Sequence, residues 1–125
     1  MKLRLHKNSL RLRLSQQEVA QFSKTGYVED TIEFGPGASF CYVLETSSKV
    51  TTPHVRYQNG DLRIQVSTMQ GREWSTTDQV GMSGEQPLGD GKHLAILIEK
   101  DFRCLHGEEP DEDSFPNPLA TGARQ

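Results

Sequence analysis

Hydrophobic residues recur along most of this chain with a period of two, the spacing of a strand that buries one face. Leu3 and Leu5 alternate with charged residues, as do Leu10, Leu12 and Leu14, and the parity changes across Lys7-Asn8-Ser9. Either a bulge keeps one long strand in phase there, or a tight turn at Lys7-Asn8 makes a hairpin. The bulge is slightly favoured, because the hairpin sets Arg4 opposite Arg11, and opposed like charges destabilise unless an anion sits between them. Both solutions place Lys2, Arg4, Arg11 and Arg13 on one face. The period then lengthens at Ser15-Gln16-Gln17-Glu18, a capping box with Leu14 and Val19 set for a hydrophobic staple. With Val19 and Phe22 on one side and Gly26 as a left-handed stop, the pattern predicts a helix over 16–25.

Alternation resumes after Gly26. Val28, Ile32 and Phe34 lead to a break at Gly35-Pro36-Gly37, and Phe40, Tyr42 and Leu44 share one side of the next strand. Residues 50–57 carry Pro53, which marks an edge or a bulge. Asn59-Gly60 is the strongest hairpin signal, leading into Leu62, Ile64 and Val66 as inward positions. Trp74 reads as packed on the core from a single helical turn over 72–78. Residues 83–92, broken by Gly84, Pro87, Gly89 and Gly91, read as a mobile loop. Residues 94–98 form the longest apolar run and read as a central strand buried on both faces. No internal repeat stands out. The expected architecture is α+β: an antiparallel, strongly curved, barrel-like sheet of about six or seven strands, with one N-terminal helix after the first strand or strands.

Composition narrows this picture. A chain of 125 residues supports one domain, read as 1–107 with an acidic, proline-containing strap over 108–125 belonging to it. At 34% hydrophobic the core is modest, so a second copy covering exposed strand edges, a homodimer, fits the pattern. The net charge of −3 conceals an asymmetry: residues 1–17 are basic without a single acid, while 108–113 hold five acids and no base. Cys41 and Cys104 give no disulfide framework. The opening MKLRLHK has no signal-peptide core, and no apolar run approaches membrane-spanning length. These features point to the cytoplasm and to no membrane association.

Several fragments together resemble a family of small bacterial proteins classed as a domain of unknown function. They are KLRLHKNSLRLRLSQQEV, TGYVE, WSTTDQVGM, EKDFRCL and DEDSFPNP. The likeness spans most of the chain and is least clear over 46–56 and 83–92. It implies a cytoplasmic bacterial protein and brings no activity, cofactor or catalytic residue with it. Alternating charges along barrel-like strands also resemble triphosphate-tunnel enzymes, but the opening ExExK of those enzymes is missing and the chain is short for a closed tunnel.

Two groups of residues carry candidate chemistry. Lys2, Arg4, Arg11 and Arg13 could hold a phosphate-rich anion or an acidic protein partner, since guanidinium groups grip phosphate through paired, charge-assisted hydrogen bonds. The plainer reading is a solvated strand face, or one neutralised by Glu29 and Glu33. Nucleic acid is a poor fit, because no aromatics interleave with the basic residues and the overall charge is negative. Cys104 and His106, near Asp111, Glu112 and Asp113, could ligate a metal or serve a hydrolase-type enzyme, with Cys41 or His54 completing a zinc set. Their spacing matches no metal signature, so no cofactor is predicted. Glu99 and Asp101, two apart on a strand, could work as acid and base or bind a cation; otherwise they mark where the strand meets solvent. A binding or accessory protein is the leading expectation, and an enzyme finds no supporting motif.

Overall fold

The computed structural model describes residues 1–102. Its strands are β1 (Lys2–His6), β2 (Ser9–Leu14), β3 (Tyr27–Gly35), β4 (Ala38–Ser47), β5 (His54–Gln58), β6 (Asp61–Ser67), β7 (Gly81–Gly89) and β8 (Lys92–Lys100). Helix α1 (Gln16–Thr25) follows β2, and α2 (Thr68–Thr76) follows β6. The strands form two four-stranded sheets, ordered β1-β2-β8-β7 (sheet A) and β3-β4-β6-β5 (sheet B). Both are mixed, because β2 runs parallel to β8 and β4 parallel to β6.

This corrects the expected architecture. Two helices replace one, eight strands replace six or seven, and two separate mixed sheets, neither closed nor strongly curled, replace one antiparallel barrel-like sheet. The reason is that each helix carries the chain from one sheet to the other. A strand's own alternation reports which face it buries and says nothing of which strand it will pair with. Nor, among the described residues, is there a tunnel between the sheets. That space is filled by Leu12, Ile98 and Met82 from sheet A, Leu44, Ile64 and Val66 from sheet B, and Phe22 and Trp74 from the helices.

Helix α1 forms as its sequence dictates. The Ser15 hydroxyl accepts from the Glu18 N–H at 3.3 Å, and the Glu18 carboxylate accepts from the Ser15 N–H at 2.9 Å. Gly26, at φ 72°, closes the helix by donating to Phe22 O at 2.7 Å. Helix α2 starts on half of that device, with Ser67 Oγ accepting from the Gln70 N–H at 3.0 Å. At 9 residues it is longer than the expected single turn, and only Gly71 and Trp74 are buried along it, too few to show a helical period.

Three local expectations also change. Lys7 adopts φ 51° and Asn8 joins it in a tight turn, so residues 2–14 form a hairpin and not a bulged strand. Residues 83–92 are β7 and the turn into β8, not a loop. β7 is an edge strand, where Pro87 withholds no needed hydrogen bond, and Gly89 and Gly91, at φ 98° and 74°, supply the left-handed turn. β8 is interior, but it buries only Ile96 and Ile98, while Ala95 and Leu97 are half-buried on its other face.

A repeat also emerges that the pattern of residues did not reveal. The order β1-β2-α1-β3-β4 recurs as β5-β6-α2-β7-β8, and exchanging the two sets converts the strand order of one sheet into that of the other.

Candidate anion-binding face

The β1–β2 hairpin holds its inward leucines against the core and turns its basic residues outward. Leu10, Leu12 and Leu14 are buried. Antiparallel register sets Lys2 opposite Arg13 and Arg4 opposite Arg11, and directly opposed Cβ atoms lie about 5 Å apart. The four expected residues are therefore brought together on one face. Asn8 fixes this hairpin to β8: its Nδ2 donates to His93 O at 2.6 Å, and its carbonyl accepts from the Ala95 N–H at 3.1 Å.

Parallel pairing with β8 continues the face across the sheet. One row reads Lys2, Arg13, Glu99 and Gly81; the next reads Arg4, Arg11, Leu97 and Ser83; the third reads His6, Ser9, Ala95 and Glu85. Glu99 accepts from Arg13 Nε at 3.0 Å and lies 3.6 Å from Arg11 Nε, while Asp101 meets Lys2 Nζ at 2.9 Å. Sequence reasoning named Glu29 and Glu33 as neutralising partners. Those residues lie on β3, in the other sheet. Instead the face meets Glu99 and Asp101, noted for a different role, because β8 inserts beside β2. The parity of β8, with Ala95, Leu97, Glu99 and Asp101 on one side, was the available signal; the neighbour was not.

The ion pairs are partly exposed and contribute on the order of 0–1 kcal/mol each. Their main effect is orientation: one carboxylate holds two guanidinium groups. Among the described residues no carboxylate comes within salt-bridge distance of Arg4. Glu85 sits three strands from His6, roughly 14 Å away at ordinary strand spacing, where screening is strong. The result is a cationic ridge, Arg4–Arg11, flanked by restrained charges.

Cys104, His106, Asp111, Glu112 and Asp113, with the whole of the 108–125 segment, lie outside the described residues. Cys41 is half-buried on β4 and His54 begins β5. Among the described residues no group of three or more His, Cys, Asp or Glu is placed to hold a metal ion, and no helix is long and apolar enough to cross a membrane.

Comparison with curated proteins and with solved structures finds no match. A family model does match, over residues 1–119, and the chain belongs to the family of unknown function DUF7009.

Proposed function

We propose that this is a binding or accessory protein that captures a phosphate-rich anion, or an acidic partner presenting one, on the outer face of the β1–β2 hairpin. The observation that carries the reading is the direct opposition of Arg4 and Arg11. Opposed like charges cost a few tenths of a kcal/mol to about 1 kcal/mol. An anion lying between them removes that cost and accepts charge-assisted hydrogen bonds from both guanidinium groups. Asp101 pairs with Lys2, and Glu99 pairs with both Arg13 and Arg11, so among the described residues the charge that no carboxylate meets is that of Arg4. The protein works in the bacterial cytoplasm, and the strand edges left unpaired among the described residues suit a homodimer.

Calorimetric titration with inorganic tripolyphosphate tests this. Binding should weaken as salt rises, and Arg4→Ala should reduce affinity roughly tenfold or more while the melting temperature holds. Unchanged affinity in Arg4→Ala, or no binding to the natural chain, overturns the proposal.

A further inference from the structure

The two halves of residues 1–102 correspond strand by strand and, within each strand pair, position by position. The β1–β2 register, Lys2↔Arg13 through His6↔Ser9, has its counterpart in His54↔Gln65 through Gln58↔Asp61, so Arg56 and Arg63 stand where Arg4 and Arg11 do. Ser15 and Ser67 both cap helices, and a register shift precedes both Gly35 and Gly89. Backbone bonds repeat as well: Ala95 N–H to Asn8 O at 3.1 Å matches Cys41 N–H to Gly60 O at 2.9 Å, and Lys100 N–H to Val80 O matches Thr46 N–H to Gly26 O, both at 3.0 Å. Glu45 accepts from Arg63 and Gln65, as Glu99 accepts from Arg13 and pairs with Arg11. Sheet B therefore contains a second version of the candidate face, and the differences between the versions are informative.

In sheet B the row is Arg56, Arg63, Val43 and Glu29. Val43 is fully covered, at 0% exposure, and the row ends on an acid. In sheet A the equivalent Leu97 is only half-buried and the row ends on Ser83. There a shallow depression of about 430 Å³ lies over Ala95 and Leu97, with Ser9 and Arg11 on one side and Ser83 and Glu85 on the other. His54 and Gln65 replace the cations Lys2 and Arg13. Only sheet A joins an arginine pair to an open apolar floor.

Resting on the function proposed above, we infer that the ligand of this face is a small organic phosphate with its charge at one end and an apolar ring or short chain at the other. The phosphate meets Arg4 and Arg11, and the body lies over Leu97 and Ala95 toward Ser83. From β2 to β7 is two strand spacings, about 10 Å, room for one ring. Glu85 at the far end repels a second negative charge and selects against anions charged at both ends.

Phenyl phosphate and inorganic phosphate are the probes, titrated against the full chain. Phenyl phosphate should bind roughly tenfold more tightly, the gain from covering about 60 Å² of ring. Ala95→Leu should abolish that preference while inorganic phosphate binds as before, and Ser83→Leu, filling the opposite side, should do the same. Arg56→Ala should change neither titration. Equal affinity for both probes, each dependent on Arg4, overturns this inference and leaves the proposed function standing. Absence of any binding overturns both. A preference that survives Ala95→Leu and Ser83→Leu, or binding lost in Arg56→Ala, puts the ligand elsewhere and overturns the assignment.

Discussion

Phe22 and Trp74 meet edge to face, with ring centroids 5.8 Å apart and planes inclined at 68°, and they hold equivalent positions in the two halves of the chain. Both rings are almost wholly covered, and Trp74 Nε1 donates to Val80 O at 3.0 Å. Gly71 permits the contact, since a Cβ there would stand 3.1 Å from the Phe22 ring. The seam between the helices is thus centred on an aromatic pair, one ring from each half. Phe22→Ala and Trp74→Ala should each destabilise by about 3–5 kcal/mol in urea denaturation. A double-mutant cycle should return coupling of about 0.5–1.5 kcal/mol; strict additivity would mean that the rings merely share a core.

The two helix caps offer a matched pair of tests. Ser15→Ala and Ser67→Ala should each cost about 1 kcal/mol, read as a lowered denaturation midpoint. A midpoint unmoved by Ser67→Ala would show that α2 does not start at Thr68.

At the β5–β6 turn, Asn59 and Gly60 adopt φ 52° and 81°, and a Cβ on Gly60 would lie 3.2 Å from Ser39 O. Gly60→Val combines left-handed strain with that contact and should destabilise by more than about 1 kcal/mol. Wild-type melting in this variant would refute the turn.

These elements show what the sequence disclosed and what it withheld. Ser15, Glu18 and Gly26 spell out α1 because capping is a local interaction among residues a few places apart. Asn59-Gly60 announces its hairpin for the same reason. The inward sides of β2, β4 and β6 were legible from alternation alone. Partner choice was not, because Arg13 meets Glu99 only after α1 and α2 have carried the chain between sheets. Pro87 and Gly84 concealed β7, since both look like breaks unless the strand is known to be an edge. The repeat stayed hidden because paired positions preserve role and not identity: Phe22 answers to Trp74, and Leu97 to Val43. The depression over Ala95 has no sequence signature, because the small side chains that open it, Ser9, Ala95 and Ser83, come from three different strands.

Glu18 adds a pH dependence. It closes the α1 cap and accepts from the Met1 ammonium, which also donates to Asp30 at 2.8 Å. Burial alone would raise the Glu18 carboxyl, but the bonds from Met1 and Ser15 outweigh it and hold the group below its ordinary 4.5. A folded-state value below the unfolded one means that the stabilisation is complete above the ordinary value and is lost as pH falls through the depressed one. For the Met1 ammonium, burial lowers the value, and Asp30 and Glu18 together raise it above its ordinary 8.0. Its contribution is present below that value and lost as pH rises through the elevated one. Urea denaturation from pH 7 downward should therefore show a smaller acid-side loss in Glu18→Gln than in the natural chain. Identical acid limbs would contradict the contact.

The most direct test of the central claim is an arginine side-chain ¹⁵N spectrum recorded while tripolyphosphate is added. The Nε signals of Arg4 and Arg11 should move together and saturate, with Arg13 following less and Arg56 and Arg63 still. Motion of the Arg56–Arg63 pair instead, or no movement at Arg4 and Arg11 when the anion is in excess, would contradict it.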